Sequence, residues 1–325
     1  MADRFVVRSL NLSAAKGVSK TPVGEVEVVA GHGIEGDAHA GPWHRQVSVL
    51  DAERILEADG GRGIATFGSF AENLTIEGAD LAARSTGLRA ALSMVEWAAA
   101  RVFDRFVIGP VTLEVTQIGK VCHDSCAIGK ALGDCIMPRM GIFCRALSSG
   151  RLRVGDGGEY IRKRFRAVVL TLSDRASRGE YEDLSGPAVA SRLAEHFDRL
   201  GYGADVEREI MADERGPVAA RIREAVAAGA DVVFTSGGTG LGPRDAAPEA
   251  ARDVVERELP GVMEMIRTKY GAAHPNALLS RGVAGAAGRT LVYNLPGSPR
   301  AVEEYLDVIL PTLDHSLRML HGFGH

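Results

Sequence analysis

From Arg166 to His325 short apolar runs alternate with stretches of helical period, and that alternation leaves few folds open. Ala167-Val168-Val169-Leu170-Thr171-Leu172 and Asp231-Val232-Val233-Phe234-Thr235 read as strands buried on both faces, the habit of parallel sheets covered by helices. Two further strands are expected at about Ala204 to Met211 and Arg289 to Asn294. Between them, Ser185 reads as an N-cap with Pro187 in the first turn of a helix reaching about Leu200. Pro217 opens a helix ending near Gly229, and a last helix follows Pro299. Repeated β-α steps predict an α/β domain with a doubly wound, mainly parallel sheet, whose ligands bind beyond the carboxyl ends of the strands.

Residues 1 to about 163 follow another pattern. Phe5–Leu10, Glu25–Val29, Gln46–Leu50, Val111–Ile118 and Phe143–Leu147 are short strand candidates separated by glycine-rich turns, which predicts a mostly β, barrel-like domain. A helix-like stretch from Leu88 to Arg101, with Leu88, Leu92, Val95 and Ala99 on one face, interrupts it. A chain of 325 residues is long enough for two cores, so domains at 1–162 and 166–325 are expected. The basic stretch Ile161-Arg162-Lys163-Arg164 between them reads as a solvated linker.

Composition narrows the class of partner. No run approaches the roughly 18 apolar residues of a membrane span. The amino-terminal Met1-Ala2-Asp3-Arg4-Phe5 lacks the features of an export signal, so a cytoplasmic protein is expected. A net charge of -4 without any Lys/Arg run favours a small-molecule partner over nucleic acid or a membrane surface.

Chemistry concentrates at the strand ends of the second domain. Thr235-Ser236-Gly237-Gly238-Thr239-Gly240 follows the third strand, and its glycines let backbone N–H groups approach a phosphate. The turn is neither the Walker pattern nor the dinucleotide fingerprint. Asp213 after the second strand, Asp245 after the turn and Ser173-Asp174-Arg175 after the first bring carboxylates and a hydroxyl to the same edge. Carboxylates beside a phosphate-binding turn suit Mg2+, which takes oxygen ligands.

Those segments, with Ser177-Arg178-Gly179, Arg244-Asp245-Ala246-Ala247-Pro248-Glu249, Leu259-Pro260-Gly261, Ser280-Arg281-Gly282 and Asn294-Leu295-Pro296-Gly297-Ser298-Pro299, resemble the molybdopterin adenylyltransferase family over Arg166 to Leu320. The resemblance implies Mg2+-dependent attack of the terminal phosphate of molybdopterin on the α-phosphorus of ATP. It also implies catalytic, metal-associated roles for Asp213 and Asp245. Ser173, Asp174, the turn from Thr235 to Gly240, Ser280, Arg281, Pro296, Gly297 and Ser298 are the implied binding residues, with Arg281 as an anion partner. Relatives of this kind are commonly trimeric, so a homotrimer is implied.

All four cysteines, Cys122, Cys126, Cys135 and Cys144, fall in one short stretch of the first domain. Zinc, inert buried thiols and a reactive thiol activated by Lys120 and His123 are the open readings, and the spacing supports zinc least. Gly36-Asp37-Ala38-His39-Ala40-Gly41, His44-Arg45-Gln46-Val47-Ser48, Phe70-Ala71-Glu72-Asn73-Leu74, Gly119-Lys120-Val121-Cys122-His123 and Gly141-Ile142-Phe143 with Gly155-Asp156 resemble a MOSC domain, the module shared with the C-terminal part of molybdenum-cofactor sulfurases. That resemblance implies a β-barrel that binds the molybdenum cofactor or carries sulfur on a cysteine, best matched by Cys126. Glu72-Asn73 and His44-Arg45 are its expected polar pocket residues, and Arg84 to Arg105 departs from its pattern. The combined expectation is an adenylyltransferase fused to a cofactor-binding barrel, with hand-off to a molybdenum insertase or a molybdoenzyme. A non-catalytic molybdopterin carrier and a cysteine-metal redox protein are the alternatives.

Overall fold

The computed structural model describes residues 3–79, 102–120 and 127–323. It divides into two compact units, Met1–Lys163 and Arg164–His325. Among the described residues no helix is long and apolar enough to cross a membrane.

In the first unit the described strands are β1 (Asp3–Leu12), β2 (Thr21–Val23), β3 (Glu25–Val29), β4 (Gly33–Ile34), β5 (Val47–Asp51) and β6 (Leu74–Glu77), then β7 (Arg105–Ile108), β8 (Val111–Ile118), β9 (Ile142–Ala146), β10 (Gly150–Arg153) and β11 (Gly157–Ile161). Pairing runs β11-β7-β8-β9-β5-β6-β1, and β1 pairs with β11, so seven strands close into a barrel and leave no free edge among themselves. Alternation on β1 turns Phe5, Val7 and, past a register shift, Leu10 into a core with Val49, Ile76, Phe106, Leu113 and Tyr160. Each fully buried side chain of this size contributes about 1.5–3 kcal/mol.

The helix α1 (Ala52–Asp59) links β5 to β6, the parallel pair of the barrel. The Asp51 side chain caps it by accepting from Glu53 N–H, and Gly60 ends it at φ 58°. Two short helices, α2 (Ala127–Leu132) and α3 (Met137–Met140), precede β9. The stretch expected as a helix from Leu88 to Arg101 lies outside the described residues.

The second unit opens with β12 (Arg164–Leu172), α4 (Asp174–Ser177), α5 (Ser185–Arg199), β13 (Gly203–Met211), α6 (Arg215–Ala227) and β14 (Val232–Ser236). It continues with α7 (Ala247–Arg252), β15 (Arg257–Glu258), α8 (Pro260–Gly271), a 3-10 turn (Pro275–Leu279), β16 (Ala284–Ala287), β17 (Thr290–Leu295) and α9 (Pro299–Leu320). The sheet is mixed, in the order β13-β12-β14-β17-β16-β15. Its first four strands pair in parallel, and the β17–β16 and β16–β15 pairings are antiparallel, so β16 alone runs against the others. Residues Val168, Leu170 and Leu172 pack with Val218 and Ile222 of α6, while β14 is buried along its whole length. Strands β12, β13 and β14 all end at one sheet edge, which is where the glycine turn and the three aspartates emerge.

Three local expectations change. Ser185 is the first residue of α5 rather than its cap; Leu184 is the cap and offers no side-chain bond, while Asp183 just before it accepts from Gly186 N–H at 2.9 Å. The connector expected at residues 161–164 narrows to Arg162 and Lys163, at the boundary of the two units: Ile161 ends β11, Arg164 begins β12, and Arg164 pairs with Asp205 at 2.6 Å. Strands β15 and β16 escaped the sequence reading because Ala284-Gly285-Ala286-Ala287 carries no branched residue. Its smallness is imposed by packing, since a Cβ on Gly285 would come within 2.3 Å of Val255.

Candidate active site

Strand β14 runs directly into the glycine turn, and the turn is shaped by what lies behind it. Gly237 (φ 112°) and Gly238 (φ 63°) adopt backbone conformations that side chains disfavour. A Cβ on Gly237 would meet the Leu172 carbonyl at 2.2 Å, because the turn passes that close to the end of β12. Two hydroxyls anchor it: Thr235 Oγ1 accepts from Asn294 Nδ2 at 2.8 Å, and Ser236 Oγ donates to the Pro296 carbonyl at 3.0 Å. Thr235 is thereby buried as a tie between β14 and β17.

Three carboxylates gather around the turn. Asp213, two residues past β13, accepts from Ala246 N–H through Oδ1 at 3.3 Å, and its Oδ2 would be 1.9 Å from a Cβ on Gly238. Asp245 accepts from Gly242 N–H through Oδ2 at 2.7 Å, and a Cβ on Gly240 would lie 2.8 Å from the same oxygen. Asp174, the first residue of α4, pairs through Oδ2 with Arg244 Nε at 2.7 Å, while its buried Oδ1 makes no hydrogen bond. Burial, reinforced by the negative charges of Asp245 and Asp174, pushes the Asp213 carboxyl up to about 6. Among the described residues no group of three or more His, Cys, Asp or Glu side chains is gathered to hold a metal ion, so a hard cation such as Mg2+ would here take at most one or two of these carboxylates and draw its other oxygen ligands from substrate and water.

The turn separates two cavities. One, of about 340 Å3, is lined by Ser173, Tyr181, Asp183, residues Ser236 to Gly240 of the turn, Asp245 and Gly297. The other, of about 360 Å3, is lined by Thr239, Gly240, Ser280, Pro296, Ser298 and Tyr305, with His274 and Arg300. Thr239 and Gly240 belong to both walls, so a group bound in either cavity meets the same turn. Several side chains here also serve the scaffold. Ser173 Oγ caps α4 by accepting from Ala176 N–H at 3.2 Å, Ser298 caps α9, and Ser280 Oγ accepts from Tyr305 Oη at 2.8 Å.

Arg281, expected as an anion partner, is placed differently. Its Nε donates to the Gly240 carbonyl and its Nη2 to the Asp245 carbonyl, both at 2.7 Å, and Nη1 pairs with Glu249. It lines neither cavity and braces the turn from outside. Asp183 escaped the sequence reading, since a lone aspartate before a helix carries no signal beyond a cap.

The first unit has a cavity of its own, about 350 Å3, lined by Lys16, His39, Trp43, Arg45, Lys120, Cys135 and Phe143 among others. It is cationic and aromatic. The Arg45 guanidinium lies 5.0 Å from the Trp43 ring, and Lys16 Nζ lies 5.2 Å from the same ring. Arg45 Nε is buried without a hydrogen bond. Behind His39, Asp37 forms a fully buried ion pair with Lys20. Burial opposes ionisation of Asp37, but hydrogen bonds from His39 and Lys20 outweigh it and hold the carboxyl well below its usual range.

Not every expected pocket residue faces this cavity. Glu72 is buried and accepts from Gly68 and Phe70 N–H groups, and Asn73 Oδ1 accepts from Ser48, so both pin the loop before β6. Cys122 and Cys126 lie outside the described residues. Cys135 lines the cavity, and Cys144 is buried in the barrel, where burial raises its thiol well above the usual value.

Residues 168–315 match the family described as "Probable molybdopterin binding domain". The molybdopterin adenylyltransferase of Helicobacter pylori is 39% identical over 155 residues, which are 47% of this chain and 86% of that protein. A molybdenum cofactor biosynthesis bifunctional protein of Synechococcus elongatus is 36% identical over 159 residues, 49% of this chain and 48% of its own length. A solved molybdopterin biosynthesis protein from Mycobacterium abscessus covers 48% of this chain and 96% of its own at 38% identity, with a TM-score of 0.44. Through its second unit the chain belongs to the molybdopterin adenylyltransferase family, nucleotidyltransferases of molybdenum cofactor biosynthesis.

Proposed function

We propose that the second unit transfers the adenylyl group of ATP to the terminal phosphate of molybdopterin, releasing pyrophosphate. The observation that carries this reading is the shared wall: one glycine turn borders two cavities, with Asp213 and Asp245 against its glycines. ATP takes the cavity lined by Ser173 and Asp245, and the pterin takes the one lined by Ser280, Pro296 and Ser298. An oxygen of the molybdopterin phosphate forms a bond to the α-phosphorus, and the bond from that phosphorus to the bridging oxygen breaks. Backbone N–H groups of the turn, fixed before substrate arrives, orient the phosphates and offset their charge. Asp213 and Asp245 would hold a Mg2+ ion together with substrate oxygens, and the ion would further neutralise the phosphate oxygens.

The test is release of pyrophosphate by the purified chain given molybdopterin, ATP and Mg2+. Absence of release, while an established adenylyltransferase is active in the same assay, would overturn the assignment. Tight pterin binding without release would point to the carrier alternative. A homotrimer is proposed on the family resemblance, and a monomer in light scattering would refute it.

For the first unit we propose binding of the molybdenum cofactor, with sulfur carriage on Cys126. The cationic, aromatic cavity around Arg45, Lys16 and Trp43 supports an anionic planar ligand. Mass spectrometry of co-purified pterin and of a persulfide on the wild type and Cys126→Ser tests both parts. A chain that carries no pterin, or a persulfide that survives the substitution, counts against them.

A further inference from the structure

Adenylyl transfer assigns no chemical step to Asp174 or Arg244. Their positions give them one. Arg244 Nε stands 2.7 Å from Asp174 Oδ2, and their chain neighbours Asp245 and Ser173 both line the cavity assigned to ATP. Neither residue of the pair lines that cavity itself; the pair ties the end of β12 to the loop after the glycine turn, one residue away from the lining on each side.

The two arginines that serve this loop differ in how firmly they are held. Arg281 is committed to two backbone carbonyls and a carboxylate. The Arg244 side chain is 65% exposed, and its partner Asp174 is 26% exposed. An ion pair open to solvent contributes no more than about 1 kcal/mol, so this guanidinium exchanges partners at little cost. Asp174 keeps a second, buried oxygen without a hydrogen bond, and so remains an acceptor whether or not Arg244 stays.

We propose that Arg244 leaves Asp174 to bind the β- and γ-phosphates of the nucleotide, and that it neutralises the pyrophosphate as it departs. Asp174 holds the guanidinium between turnovers. The inference rests on ATP being the adenylyl donor. In the transfer, the electron pair of the breaking bond stays with the bridging oxygen, so negative charge grows on the departing β-phosphate. A planar guanidinium meets two phosphate oxygens at once, whereas a lysine ammonium offers a point charge.

The test compares the wild-type full chain with Arg244→Ala, Arg244→Lys and Asp174→Asn. Two readouts are used: pyrophosphate release under saturating molybdopterin, and calorimetric titration with Mg2+-pyrophosphate, which needs no turnover. Arg244→Ala is expected to lower kcat about a hundredfold, the scale for losing a preorganised donor to transition-state charge. It should also weaken pyrophosphate binding about tenfold while molybdopterin binding, titrated without nucleotide, stays unchanged. Arg244→Lys should restore only a minor part of either. Asp174→Asn, which removes the competing partner, should tighten pyrophosphate binding. If Arg244→Ala binds pyrophosphate and turns over like the wild type, the inference is wrong while adenylyl transfer stands. A wild type that neither releases nor binds pyrophosphate removes both.

Discussion

The Asp213 carboxylate occupies the space that a side chain at residue 238 would fill: a Cβ on Gly238 would lie 1.9 Å from its Oδ2. Carboxylate and glycine are thus a single steric unit contributed by two different strand ends. Gly238→Ala asks for both a left-handed alanine, at about 1–2 kcal/mol, and displacement of the carboxylate. We expect adenylyl transfer to fall about a hundredfold, the scale for a misplaced catalytic group, with a melting temperature only several degrees lower. Pyrophosphate release together with a calorimetric melt checks this. A variant with wild-type turnover would show that Asp213 need not sit against the turn.

Arg281 fixes the other flank of the same loop through the Gly240 and Asp245 carbonyls. Lysine cannot span two carbonyls and Glu249 at once. Arg281→Lys is expected to cut kcat roughly tenfold by loosening the loop rather than by removing a ligand contact, given that small displacements of reacting groups are costly. Hydrogen exchange at residues 237–245 should then accelerate relative to the wild type. Unchanged exchange with lowered kcat would instead make Arg281 a direct substrate contact.

What could be read from the sequence tracks how local the cause is. The buried runs Ala167–Leu172 and Asp231–Thr235 announce themselves as parallel strands because helices cover both faces, and the observed strands, Arg164–Leu172 and Val232–Ser236, overlap them. Barrel closure was foreseeable as a class from short strands and glycine turns. The pairing of β1 with β11, whose partners such as Asp3 and Tyr160 lie at opposite ends of the first unit, was not. At the site, residue types near strand ends signalled carboxylates beside a phosphate turn. Their interlock with Gly238 and Gly240, and the bracing role of Arg281, depend on distances that spacing does not encode. The pairing of Glu72 with the backbone of its own loop, where a pocket role was expected, is a similar case: polarity is visible in the sequence, the direction a side chain faces is not.

Glu72 makes the barrel's stability depend on pH. Burial raises its carboxyl to about 7, partly offset by hydrogen bonds from Gly68, Thr75 and Phe70. A carboxyl raised in the folded state stabilises only while protonated, so its contribution is full below its ordinary value and fades as pH rises through about 7. Between pH 5 and 8 the barrel should lose on the order of 2 kcal/mol from this group. Both tryptophans, Trp43 and Trp97, belong to the first unit, so tryptophan fluorescence during urea unfolding follows the barrel. Glu72→Gln should flatten the dependence, whatever its baseline effect, and an unaltered slope would assign it to another group.

Asp213 permits the sharpest separation of function from stability. Its carboxyl, raised first by burial and then by Asp245 and Asp174 to about 6, also stabilises only when protonated. Its contribution is lost as pH rises from about 4 through 6, so at pH 8 without metal the ionised group costs on the order of 2 kcal/mol. Asp213→Asn keeps the shape and the acceptor for Ala246 N–H but removes the charge. In chelator at pH 8 the variant should melt several degrees above the wild type, and the gap should close at pH 4.5. With Mg2+ and ATP the wild type should gain stability by binding and the variant should not, while its pyrophosphate release falls about a hundredfold. A more stable but inactive variant is what a carboxylate kept for a cation predicts. A variant less stable at every pH would make Asp213 part of the scaffold and would leave the metal role to Asp245.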